Sequence, residues 1–133
     1  MKLTTRSEYA LLALVALARR GSEVSVSGKT ISDEQGIPLK FLQTILLTLK
    51  NARFVHSTKG KRGGYRLAKP AQSISIAEVV RLFDGALAPT ESVSHYFYEP
   101  TPIEKEDKLI DVFREIRDFV AEKLEKTTIA DVS

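Results

Sequence analysis

Apolar residues crowd the chain between Tyr9 and Ala18, where Leu11, Leu12, Leu14, Val15 and Leu17 interleave with Ala10, Ala13, Ala16 and Ala18. Nearly all are strong helix formers, so the pattern predicts a helix from about Thr4 to Arg20, ended by Gly21. Few polar positions interrupt it, which implies a helix covered on most sides at the centre of the fold. A weaker helix follows from about Gly28 to Gln35, with Ser27 as N-cap, Ile31 as its one large apolar residue and Gly36 as its stop. Pro38 suits the first position of a third helix, in which Leu42, Ile45, Leu46 and Leu49 recur at helical spacing. Three helices with a Gly36-Ile37-Pro38 turn between the last two spell a helix-turn-helix.

After Asn51 the pattern becomes extended: Arg53 to Ser57, a glycine-rich turn from Lys59 to Gly64, then Gly64 to Leu67 before Lys69-Pro70. This predicts a short two-stranded wing. Ser75 or Ser73 can cap a further helix, Ile76 to Phe83, closing at Asp84-Gly85. Residues 1–85 therefore read as a winged helix-turn-helix domain. Residues 86–102 hold Pro89, Pro100 and Pro102 and read as a loop with room for one short helix. The longest helical pattern runs from Ile103 to about Lys126, with an apolar stripe of Leu109, Phe113, Ile116, Val120 and Leu124. No other free stripe in the chain matches it, so pairing with the same helix of a second subunit is the economical solution, with residues 103–133 as dimerisation helix and tail. The expected fold is mainly α with a small β-hairpin.

Charge divides the chain in the same place. The net charge of +3 is the sum of a front part, residues 1–84, with 14 basic and 6 acidic side chains, and a rear part with 6 basic and 11 acidic ones. From Gln35 to Ala77 there is no Asp or Glu, but there are Lys40, Lys50, Arg53, Lys59, Lys61, Arg62, Arg66 and Lys69. A basic front suits a polyanion, and an acidic rear should point away from it. The absence of cysteine excludes disulfides, thiol catalysis and thiolate-bound metals. The apolar run near the start could pass for a secretory signal, but Glu8 abuts it, Arg19-Arg20 follow it, and it is too short to span a bilayer that needs roughly twenty residues. A buried first helix in a cytoplasmic protein without membrane contact is the better account.

Burying the Leu42, Ile45, Leu46 and Leu49 face turns Leu39, Lys40, Gln43, Thr44 and Leu47 outward, at the helix end that enters a major groove in such motifs. Gln can pair with adenine, Thr can touch a base edge or a thymine methyl, and Lys can serve a guanine or a phosphate. At the tip of the wing, Gly60 lets the backbone approach a sugar-phosphate ridge while Lys59, Lys61 and Arg62 neutralise phosphates or enter a minor groove. Neither GxGxxG nor GxxxxGK[ST] is present, so the turn is not a nucleotide-binding loop. His56 and His95 are the only histidines, too few for a three-ligand metal site, and no acid-base pair or Ser/His arrangement has interpretable spacing. No enzyme and no cofactor is indicated. Tyr96-Phe97-Tyr98 either lines a ligand pocket or packs beneath the long helix.

Specific stretches carry a resemblance. Met1 to Ala10 (MKLTTRSEYA), Gln35-Gly36-Ile37-Pro38 with Phe41 to Leu46 (FLQTIL), and Lys59-Gly60 with Gly63 to Ala68 (GGYRLA) together resemble the Rrf-type bacterial winged-helix regulators over about residues 1–85. The resemblance implies a homodimer on a roughly palindromic operator of double-stranded DNA, with the third helix in the major groove and the wing in the flanking minor groove. It places Gln43 and Thr44 at bases, Lys59 in the groove, and Thr4, Thr5 and Arg6 near phosphates. Better-known members carry three cysteines in the sensor segment that corresponds to residues 86–102, and this chain has none there. An iron-sulfur cluster is therefore excluded, and what remains resembles a cysteine-less branch controlled by a small molecule or a protein partner. The leading reading is a sequence-specific transcriptional regulator, a repressor rather than an activator. The alternative is a winged-helix interaction module that docks on a metabolic enzyme, with DNA binding secondary.

Overall fold

The computed structural model describes residues 1–133. Helix α1 (Thr5–Arg20) lies at the centre, with α2 (Gly28–Gln35), α3 (Leu39–Asn51), α4 (Ile76–Asp84) and the short terminal helix α6 (Ile129–Val132) packed around it. Its small side chains make this possible: Ala10, Ala13 and Ala16 are buried beside Leu14 and Leu17, so neighbouring helices approach closely on several sides. Leu42, Ile45, Leu46 and Leu49 of α3 are all fully buried in the same core, as their spacing predicts. Pro38 stands one residue earlier than expected. It precedes the helix as its cap, and its carbonyl accepts the Leu42 N–H at 2.9 Å.

Strands β1 (Val55–Thr58) and β2 (Gly64–Leu67) form the wing, antiparallel, with His56 opposite Arg66 and Ser57 opposite Tyr65. Val26 adds a third rung by exchanging two hydrogen bonds with Tyr65, at 2.8 and 2.7 Å. This contact requires glycine at position 64, and the tight turn of the wing requires it at 63. A Cβ on Gly64 would stand 2.4 Å from the Val26 carbonyl oxygen, and one on Gly63 would stand 2.2 Å from that of Thr58. Helix α4 opens with a reciprocal cap in which the Glu78 N–H donates to the Ser75 hydroxyl and the Ser75 N–H to the Glu78 carboxylate.

The rear of the chain departs from expectation in three ways. Residues 86–102 hold one short 3₁₀ turn, Glu91–Val93, in an otherwise irregular loop; the first departure is that a second 3₁₀ turn, Pro102–Lys105, takes up the predicted start of the long helix. Helix α5 proper is Asp107–Lys126, because Glu106 takes an extended backbone, φ −112° and ψ 98°, which separates the short turn from the helix. The predicted stripe also divides. Phe113 packs against Ala88, Val93 and Ile110, and Val120 and Leu124 pack against Ala77, Val80 and Leu87, all within the same chain. Leu109 and Ile116 instead face outward, in line with Val112 and Phe119. The helix is thus apolar on two faces. Finally, the tail is no loose end: Ile129 is fully buried in the core around α1, and the Ile129 N–H donates to the Ile74 carbonyl at 2.9 Å.

Candidate nucleic-acid interface

Helix α3 presents Lys40, Gln43, Thr44 and Leu47 to solvent, with Leu39 and Phe41 partly exposed beside them. The Thr44 hydroxyl donates to the Phe41 carbonyl at 2.7 Å, which spends its proton and leaves its oxygen as an acceptor. The Phe41 ring meets Tyr9 edge-on at 5.4 Å, which ties the front of α3 to α1. Leu47, at 56% exposure, is an apolar side chain in the middle of this polar face, suited to contact with a thymine methyl.

Helix α3 and the wing meet through a small contact. A Cβ on Gly28 would lie 3.6 Å from Leu39 and 3.7 Å from the Tyr65 ring, so the starts of α2 and α3 and the middle of β2 share one corner. The wing tip, Lys59, Gly60, Lys61 and Arg62, extends from this corner exposed to solvent. The two groups singled out in the sequence therefore belong to one connected front.

Of the eight cations between Gln35 and Ala77, only Lys69 is engaged, lying 3.8 Å from Glu78 and over the Phe54 ring. Lys40, Lys50, Arg53, Lys59, Lys61, Arg62 and Arg66 have no carboxylate within ion-pair distance. Such a concentration of uncompensated positive charge is the electrostatic footprint of a polyanion site. Arg53 adds a conformational signal that periodicity could not reveal. It holds a left-handed φ of 67° at the end of α3, where the Phe54 N–H closes back on the Leu49 carbonyl at 2.9 Å.

The start of α1 is built differently from the wing. The Thr4 hydroxyl and N–H both donate to Asp84, and the Ser7 hydroxyl donates to the same carboxylate at 2.6 Å. Thr4 is thus occupied as a cap, held to the end of α4, while Thr5 is exposed. Arg6 reaches toward the Thr48 hydroxyl at 3.5 Å and lies over the Phe83 ring at 5.4 Å. The Thr48 hydroxyl in turn donates to the Thr44 carbonyl at 3.2 Å, so Arg6 is linked to the exposed face of α3.

A mainly helical domain with a basic helix-turn-helix and a two-stranded wing defines a winged-helix DNA-binding regulator. The sequence profile of the Rrf2 family, described as an iron-dependent transcriptional regulator, matches residues 3–133, and the chain belongs to that family. It is 39% identical to a candidate HTH-type transcriptional regulator of Mycobacterium tuberculosis, over all of this chain and 81% of that one. It is 29% identical to the HTH-type transcriptional regulator CymR of Bacillus subtilis, over all of this chain and 90% of that one. Among solved structures, that of B. subtilis CymR, the global cysteine regulator of that organism, superposes with a TM-score of 0.86 at 27% identity, covering 99% of this chain and 95% of that one. The protein is accordingly a DNA-binding transcriptional regulator of the Rrf2 family.

The iron in the family description does not fit the donors in this chain. There is no cysteine, and no three His, Asp or Glu side chains converge as a metal would need. No helix is long and apolar enough to cross a membrane.

Proposed function

We propose that the protein is a repressor that binds a roughly palindromic operator as a homodimer, with α3 in the major groove and the wing against the neighbouring minor groove. The observation that carries this reading is the set of unpaired cations shared by α3 and the wing. Gln43 and Thr44 read bases, with Lys40 and Leu39 at the same end of α3. Lys59, Lys61 and Arg62 hold the backbone, Gly60 lets the tip approach, and Thr5 and Arg6 lie near phosphates. Thr4 stands beside them at the start of α1, with its hydroxyl and N–H donating to Asp84.

The dimer is supported by the outward face of α5, where Leu109, Val112, Ile116 and Phe119 are 44%, 51%, 43% and 74% exposed. Four large apolar side chains at alternating steps of three and four are the pattern one helix offers to its twin. Phe113, Val120 and Leu124 support that face from behind. The acidic rear half keeps the dimerisation end away from the DNA backbone. A binding selection on random DNA with the purified protein tests the reading. An inverted repeat, bound with two protomers and a steep salt dependence, is expected. Recovery of no preferred sequence by a monomeric protein would overturn it.

A further inference from the structure

A cavity of about 520 Å³ opens between the segment before α1, the end of α4 and the loop that follows it. Lys2 and Asp84 stand on its wall. Its size falls within the range that small-molecule sites occupy. The aromatic cluster does not pack beneath α5. Tyr96, Phe97 and Tyr98 line this cavity and remain 71%, 44% and 53% exposed. The Tyr98 hydroxyl is fixed by donating to Glu104, and the Tyr96 ring has Arg81 over one face at 4.8 Å. The rings are thus held in place while part of their surface stays open.

The polar lining has a clear sign. Glu91 and Glu99 stand on the wall, and the Glu99 N–H donates to the Glu91 carbonyl at 3.3 Å, which holds both residues on one turn of the loop. Neither carboxylate is in an ion pair. Asp84 is a third carboxylate of the lining, so that three carboxylates stand against two cations, the Lys2 side chain and the terminal ammonium of Met1. An anion would meet more repulsion than attraction here. A cation would meet free carboxylates and ring faces together, the combination by which proteins recognise ammonium groups.

We propose that this cavity binds an organic cation, an amine or quaternary ammonium on a small apolar body, with the charged end between Glu91 and Glu99 and the body against Tyr96, Phe97 and Tyr98. Occupancy is coupled to the DNA-binding face through Asp84. That carboxylate lines the cavity and also holds Thr4 and Ser7 at the start of α1. Two residues after Thr4, Arg6 reaches Thr48, which is bonded to Thr44 on α3. A cation that draws on Asp84 weakens the cap of α1 and shifts Arg6 against α3. This consequence rests on the DNA-binding reading; the binding itself does not.

Calorimetric titration of the full chain, without DNA, with benzyltrimethylammonium and with phenylacetate as an anion of similar body separates the two. The cation is expected to bind with a Kd on the order of 1 mM or tighter, the anion not to bind. The double variant Glu91→Gln with Glu99→Gln, and separately Tyr96→Leu, should weaken cation binding at least tenfold while leaving the melting temperature within a few degrees, since all three side chains are exposed. No saturable binding of the cation, equal binding of the anion, or undiminished binding by the double variant would overturn the site. A second titration, of operator DNA with and without the cation, is expected to differ severalfold in Kd, and an unchanged Kd overturns the coupling. Failure of the cation-free protein to bind any DNA would count against the proposed function and leave the first titration readable.

Discussion

The front of the molecule and the helix behind it treat charge in opposite ways. On α5 three of the five cations have partners, Arg114 with Asp111 at 2.9 Å, Arg117 with Asp118 at 2.7 Å and Lys126 with Glu122 at 2.6 Å, leaving Lys108 and Lys123 among many carboxylates, while Arg81 of α4 reaches Glu125 at 2.6 Å. On α3 and the wing they have none, apart from Lys69. The contrast follows from sequence, since acidic residues interleave with basic ones along α5 and are absent between Gln35 and Ala77. Paired surface charges are nearly neutral for stability, and a cluster of unpaired like charges is unfavourable to the folded chain by itself. The reason for the front cluster therefore lies outside the chain, in the DNA it binds.

Apolar exposure sharpens the comparison, because the rear helix leaves open what the front encloses. If the outward face of α5 forms the proposed dimer, Ile116→Asp with Phe119→Asp should leave a monomer and lower operator affinity by roughly a hundredfold or more, through loss of the second half-site. Sedimentation and operator titration read this, and an intact dimer would show that the subunits meet elsewhere. Ile129→Ala should cost about 2–3 kcal/mol in denaturant unfolding, because the side chain is fully buried against the front domain. A cost below about 0.5 kcal/mol would mean that the tail is dispensable to that core.

Smaller effects probe the charges themselves. Arg53→Gly should stabilise the protein by about 0.5–1 kcal/mol, since glycine accepts the left-handed conformation that arginine holds at φ 67°. The same change should weaken DNA binding a few fold, and unaltered binding would remove Arg53 from the interface. The Arg20–Glu34 pair gives the least. Its hydrogen bond holds the Glu34 carboxyl below its usual 4.5 and the Arg20 guanidinium above its ordinary range. The Glu34 contribution is therefore present above about pH 4.5 and fades as the pH falls through the lowered value. Glu34→Gln should lose a small stability difference at pH 7 that vanishes in acid, as followed by thermal unfolding, and a difference that grew in acid would contradict the pairing.

The front was legible in the sequence because each of its elements has one buried face. Leu42, Ile45, Leu46 and Leu49 could only form one stripe, and the glycines around Lys61 and Arg62 could only form a turn. The rear resisted because α5 is apolar on two faces. Leu109 and Ile116 belong to the outward one and Phe113, Val120 and Leu124 to the inward one, so a single stripe drawn through all five mixed the two. Helix α6 is too short for periodicity, although the Thr128 to Asp131 cap was a usable signal. Arg53 and the pairing of Thr4 with Asp84 depend on backbone conformation and on contact between distant segments, which no local pattern encodes.

The proposed division of roles, α3 at the bases and the wing at the backbone, predicts different outcomes in paired titrations of Gln43→Ala and Lys61→Ala against operator and random DNA over a range of salt. Gln43→Ala should lose about 1–3 kcal/mol on the operator, confined to one base position, and nothing on random DNA. Lys61→Ala should weaken both DNAs alike and reduce the salt slope by about 1. Equal losses on both DNAs for both variants would contradict the division of roles.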